Sequence, residues 1–191
     1  MYIITKRLFD FFLSLILAVL FSPIYFFLWI ILKINNDAGP VIHWSKRVGK
    51  DEKIFLMPKF RTMRIDTPQV ATHLLTSADS YLTSMGSFLR KSSLDELPQL
   101  WSILIGKMSF VGPRPALFNQ DDLLALRRVE GIDKLTPGLT GWAQINGRDD
   151  LPVKIKVQFE KEYLLEKSFF HDLEIMWLTF FKVIGQDNVQ H

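Results

Sequence analysis

Apolar positions are distributed very unevenly along the chain. Lys6-Arg7 is followed by a nearly unbroken apolar run, LFDFFLSLILAVLFSPIYFFLWIIL over residues 8–32, which Lys33 closes. Such a run is long enough to reach across a bilayer. It is too long for a signal peptide, and no small-residue cleavage site follows it. Ser22-Pro23 lies near its middle, where proline removes a backbone donor and kinks the helix. The Ser22 hydroxyl can satisfy part of the freed backbone. Both flanks are basic: Lys6 and Arg7 before, and Lys33, Lys46, Arg47 and Lys50 after. The positive-inside rule then places both ends on one side. A straight span is the plainer reading, but the break and the flanks favour a re-entrant helix over residues 1–37. Asp10, one turn after the basic pair, reads as an interfacial residue pairing with Lys6 or Arg7 at helical spacing.

Past the loop signal at Asn35–Pro40, the pattern shortens. Residues 41–44 and 53–56 read as strands of a hairpin turning at Gly49–Glu52. Residues 66–82 are polar and irregular, then weakly helical. Helical spacing predicts a short apolar helix over Pro98–Leu104 and further helices over 119–131, 153–165 and 172–184. Leu135–Asp150, rich in Gly and Pro, reads as an ordered loop. The last helix carries Trp177, Phe180 and Phe181, and reads equally as a core helix or as one lying in a membrane interface. The predicted class is α-rich α+β: a re-entrant membrane helix, then a compact domain over 38–191 with a small β-hairpin and amphipathic interfacial helices.

Composition narrows the function. With 48% hydrophobic and 23% charged residues, the chain can bury a core, which excludes disorder. The single long apolar segment excludes a polytopic membrane protein. The absence of Cys excludes disulfide scaffolds, zinc-thiolate sites and cysteine nucleophiles. A net charge of +3, without a dense basic stripe, argues against nucleic acid and fits a membrane surface.

Candidate chemistry sits in a few stretches. Asp95-Glu96 is an adjacent acid pair in RKSSLDELPQLW. The plain structural reading is a capping box, Ser93-x-x-Glu96, at a helix start. The alternative is a distorted turn, limited by Pro98, that presents both carboxylates. Neighbours on a helix point about 100° apart, so two separate roles are easier than a shared proton. Arg114, between Pro113 and Pro115, is held stiffly, as a phosphate ligand should be. Lys59 lies in the basic-apolar stretch Lys59–Met63, which also reads as a strand end. Gly138, Gly141 and Gly147 would allow a ligand close approach, and Arg148 adds a cation. Acids and cations beside a membrane anchor point to a phosphorylated substrate, with a divalent metal on one carboxylate and the other able to attack phosphorus. No Walker A loop, GxGxxG, HExxH or Ser-His-Asp pattern competes. His43, His73, His171 and His191 do not cluster in sequence.

With these residues the chain resembles the monotopic phosphoglycosyl transferases of bacteria, the bacterial sugar transferases, especially the small PglC-type members. The resemblance runs from Lys6 to about Lys182. It rests on GPV at Gly39, RVG at Arg47, KFRTM at Lys59, SLDELPQLW at Ser93, SFVGPRPAL at Ser109 and TPGLTGWAQINGR at Thr136. The strand VIHWSKRVG departs from the family's FxRQxRxG-like run, and Ser102 stands where Asn is frequent. The resemblance implies a re-entrant helix broken at Ser22-Pro23 and a place on the cytoplasmic face of the bacterial inner membrane. It implies transfer of a sugar phosphate from a UDP-sugar to undecaprenyl phosphate with release of UMP. Asp95 would be the nucleophile and Glu96 a ligand of Mg²⁺, with Lys59, Arg90, Arg114 and Arg148 at the phosphates. The segment after Arg114 resembles members that use N-acetylated amino sugars, such as diacetylbacillosamine. The expectation is a minimal catalytic unit, without the extra membrane domain of larger members, with a homodimer left open. A membrane-bound nucleotide-sugar phosphohydrolase and a non-enzymatic scaffold binding nucleotide sugars are the alternatives.

Overall fold

A computed structural model of the chain describes residues 1–34, 39–68, 78–147 and 151–184. The apolar run forms two helices, α1 (Tyr2–Leu20) and α2 (Ser22–Ile34), bent by 59° at their junction. The cause is local. Pro23 has no N–H to donate, and the Ser22 hydroxyl turns back to the Val19 carbonyl at 2.7 Å. No single described helix is long and apolar enough to cross a membrane, whereas the bent pair is.

One stripe of α1 faces the rest of the protein. Asp10 and Ser14 are buried, and Leu13 and Leu17 pack on the main core. The charge of Lys6 acts on Asp10 as expected, but the direct contacts of Asp10, Lys6 and Arg7 are longer-range. Asp10 accepts from the Phe110 amide at 3.2 Å, Lys6 pairs with Asp172 at 2.7 Å, and Arg7 donates to the Ile103 and Leu104 carbonyls. A carboxylate 3% exposed on an inward stripe finds its partner in the domain, not on its own helix surface. The other faces of α1 and α2 leave Leu8, Phe12, Ile16, Leu20, Phe27 and Trp29 exposed.

The hairpin is longer than its sequence pattern. Strands β1 (Ile42–Val48) and β2 (Ile54–Phe60) pair antiparallel from Ile42↔Phe60 to Val48↔Ile54. Asp51 and Glu52 are both left-handed in the turn, which suits the twist of a tight hairpin. Next come α3 (Gly86–Lys91), a 3₁₀ turn at Leu94–Glu96, α4 (Gln99–Leu104), β3 (Ser109–Val111), β4 (Ala116–Leu117) and α5 (Asp121–Val129). They are followed by β5 (Gly138–Thr140), α6 (Trp142–Ile145), α7 (Val153–Glu166) and α8 (Phe169–Ile184). One sheet has the order β2-β1-β4, and β3 pairs with β5 in parallel. The main core gathers Phe55, Met57, Ile103, Met108, Tyr163 and Ile175. A second cluster joins Leu28 of α2 to Phe60 and Leu89, so the bent helix pair is packed onto the hairpin.

Some sequence expectations change. The loop expected at 135–150 contains β5 and α6, because its strand residues pair with a segment distant in sequence. The space expected beside Gly138 and Gly141 for a ligand is filled by the chain itself. A Cβ on either would lie 2.1 Å from the backbone of Gly112. In α8, Ile175 is buried while Trp177, Phe180 and Phe181 face outward, so the helix has one core face and one exposed aromatic face. Of the loop at Asn35–Pro40, residues 35–38 lie outside the described residues, as do Arg148, His73, His191 and much of 66–82.

Candidate active site

The acid pair sits on the 3₁₀ turn between α3 and α4. The capping box expected there is absent. Ser93 is left-handed, with φ 55°, and makes no side-chain cap. An N-cap residue needs extended backbone for its hydroxyl to reach forward. Ser93 instead closes α3 in the manner of a left-handed C-terminal residue, its amide donating to Arg90 O at 3.1 Å. Positive φ at a residue with a Cβ is strained, and here the strain immediately precedes the two acids. Pro98 then caps the short, largely buried α4.

The two carboxylates meet a cation from elsewhere in the fold. Lys59, near the end of β2, lies with its Nζ 2.8 Å from Glu96 Oε1 and 3.7 Å from Asp95 Oδ2. Arg114 Nη1 stands 3.8 Å from the same Glu96 oxygen. Arg90 donates from Nε to the Thr62 hydroxyl at 3.1 Å, and its charge acts on Asp95. The structure thus brings together Lys59, Arg90, Asp95, Glu96 and Arg114. Thr62 is buried and orients Arg90, a role its sequence context did not signal.

Asp95 is 7% exposed and Glu96 is half-buried. Burial pushes the Asp95 carboxyl above its ordinary range, opposed by Lys59, reinforced by Glu96, and opposed again by Arg90 and Arg114. Desolvation is the largest influence on this carboxyl. The two acids therefore differ: one enclosed, the other opening towards the cations.

The Arg114 loop is fixed through its carbonyls. Gly138 N donates to Pro113 O at 2.9 Å, Arg127 Nη2 to Arg114 O at 2.9 Å, and Arg47 Nη1 to Pro115 O at 3.0 Å. The prolines have no amide to offer, so carbonyls must carry the anchoring. Among the described residues no three His, Cys, Asp or Glu side chains group as a metal cage. An oxygen-only pair of carboxylates suits a hard divalent ion that draws its other ligands from water and substrate phosphates.

An enclosed carboxylate, a second open one and converging cations form an arrangement whose charges suit phosphate esters. The chain belongs to the bacterial sugar transferase family, whose model matches residues 1–186. It is 34% identical over 95% of its length to the undecaprenyl-phosphate galactose phosphotransferase of Salmonella typhimurium. It is 39% identical over 93% of its length to the UDP-glucose:undecaprenyl-phosphate glucose-1-phosphate transferase of Escherichia coli. The chain spans 41% and 39% of those two proteins. By contrast it covers 91% of an uncharacterized sugar transferase, EpsL, of Bacillus subtilis, at 37% identity.

Proposed function

We propose that the protein is a phosphoglycosyl transferase that moves a sugar 1-phosphate from a UDP-sugar to undecaprenyl phosphate and releases UMP. The observation that carries this reading is the enclosed Asp95 beside Glu96, with Lys59 bridging both, in a chain whose relatives are named for that transfer. Asp95 is the nucleophile. Its carboxylate oxygen forms a bond to the sugar-bearing phosphorus of the donor as the bond to UMP breaks. An oxygen of undecaprenyl phosphate then attacks the same phosphorus, and the Asp95 carboxylate leaves. Lys59, Arg90 and Arg114 hold the phosphoryl oxygens and take up charge that builds on them. Glu96 holds Mg²⁺, which when bound neutralises the diphosphate. Arg148 is assigned to the same phosphates on the family resemblance alone.

In this reading the bent pair α1–α2 enters and leaves the cytoplasmic face of the inner membrane, and the aromatic face of α8 lies in its interface. The exposed apolar side chains of α1, α2 and α8 support that placement. The relatives named for glucose and galactose favour a UDP-hexose over an N-acetylated amino sugar. The test is a panel of UDP-sugars given to detergent-extracted protein with Mg²⁺, first without lipid. About one UMP per enzyme should appear, with a sugar-phosphate mass on the peptide holding Asp95. Continuous turnover should require undecaprenyl phosphate. Turnover without lipid would make the protein a hydrolase; no UMP and no added mass in enzyme active with lipid would mean direct transfer.

A further inference from the structure

Arg127 and Glu160 form a buried ion pair away from the acid dyad. Arg127 lies on α5 and Glu160 on α7, 6% and 2% exposed. Arg127 Nε donates to Glu160 Oε2 at 2.7 Å, and Nη2 to Glu160 Oε1. The same Nη2 donates to the carbonyl of Arg114 at 2.9 Å. Replacing such a pair with well-packed apolar residues is often neutral or stabilising. Its geometry, however, does something an apolar pair cannot. It reaches the middle carbonyl of Pro113-Arg114-Pro115, a loop whose two prolines offer no amide.

We propose that the Arg127–Glu160 pair positions Arg114, fixing where its guanidinium meets the phosphates of the donor. The inference rests on the role assigned to Arg114 above. Glu160 holds the guanidinium fork of Arg127 in one plane, leaving the remaining Nη2 hydrogen aimed at Arg114 O. Arg114 then stands with its own guanidinium 3.8 Å from Glu96. A lysine at 127 would keep the charge but lose the fork, so it could not hold Glu160 at two points and the carbonyl at a third. Arg127 is thus a positioning residue, acting through Arg114 without touching substrate.

The test is a double-mutant cycle on the full chain. The apolar pair Arg127→Met with Glu160→Leu removes both charges together. Far-UV circular dichroism and thermal melting check the fold. Misplacement of a phosphate ligand by about 1 Å should lower kcat/KM for the UDP-sugar by ~10- to 100-fold. In an Arg114→Ala background the same change should cost little more, because the group it positions is gone. A purely structural role would lower the active fraction equally in both backgrounds. Equal losses in both, or a folded apolar pair within about twofold of wild type, would overturn the inference. Arg127→Lys, which keeps the buried charge balanced, runs through the same cycle should the apolar pair fail to fold. If Arg114→Ala alone leaves kcat/KM unchanged, the phosphate role of Arg114 is wrong and this inference falls with it. An effect of Arg114→Ala without one from the pair sinks the inference alone.

Discussion

Asp95 is placed where a carboxylate is uncomfortable. Burial favours its protonated form, so the folded protein holds that proton more tightly than the unfolded chain. The contribution of Asp95 to native stability is therefore fully present below the ordinary Asp value of 3.8 and is lost as pH rises through the raised folded one. With chelator present, Asp95→Asn should melt at higher temperature than wild type at pH 7, and the gap should close towards pH 4. An Asp95→Asn protein that melts lower at pH 7 would show that Lys59 and the arginines outweigh desolvation. The same substitution should abolish UMP release. Ser93 makes a second residue-scale case. Its φ of 55° should cost little in Ser93→Gly, whereas Ser93→Val should lose about 1–2 kcal/mol in chemical denaturation. Equal stability of the two variants would mean that the turn is not strained.

At the scale of elements, the short parallel pair β3–β5 holds the site's backbone. It works because Gly112 and Gly138 let two chains approach without side chains between them. A Cβ on Gly138 would sit 2.1 Å from Gly112 N, an atom that cannot swing away. Gly138→Ala should cost about 1–3 kcal/mol or more and lower activity with it, since Gly138 N also anchors Pro113 O. Gly131 is the control. Its φ is +72° but nothing lies within 4 Å of a Cβ there. Gly131→Ala should lose only about 1 kcal/mol, from conformation alone. Urea melts of the two variants compare them directly, and a smaller loss at Gly138 would contradict the close approach. Helix α7 is expected from its periodicity, but its inward contact is not. Its charged pattern is visible, yet that Glu160 is the charge turned inward depends on Arg127 arriving from α5.

Across the whole molecule, the bent helix pair and the rest of the chain are joined by specific polar contacts as well as apolar packing. Asp172 of α8 accepts from Lys6 and Tyr2 of α1 and from Tyr163 of α7, at 2.7–2.8 Å. This fixes the N-terminal root of α1 to the domain, so that root and the domain must lie on one side of any bilayer the run enters. The chain has no Cys, which makes single-cysteine labelling clean. Thr5→Cys and Lys53→Cys should both be shielded from an impermeant thiol reagent in intact cells and both react after lysis. Labelling of only one of the two in intact cells would establish a span and dismiss the re-entrant reading. Pro23→Ala should straighten the bend and shift molecules towards that spanning form.

The sequence by itself determined what depends on neighbours along the chain. The break at Ser22-Pro23, the hairpin, the longer helices α5, α7 and α8 and the adjacency of Asp95 and Glu96 are all local. Proline geometry, residue periodicity and turn chemistry act over a few residues, so they can be read without the fold. Tertiary structure alone decided which partners those residues meet. It set Lys59 against a carboxylate 37 residues away, gave Asp10 the Phe110 amide as a partner beside the charge of Lys6, and filled the space beside Gly138 with Gly112. It also enclosed Asp95, so that desolvation leads its electrostatics, with Lys59 opposing. These outcomes follow from burial and from the need of every buried polar group for a partner. Such partners come from wherever the packed chain happens to pass.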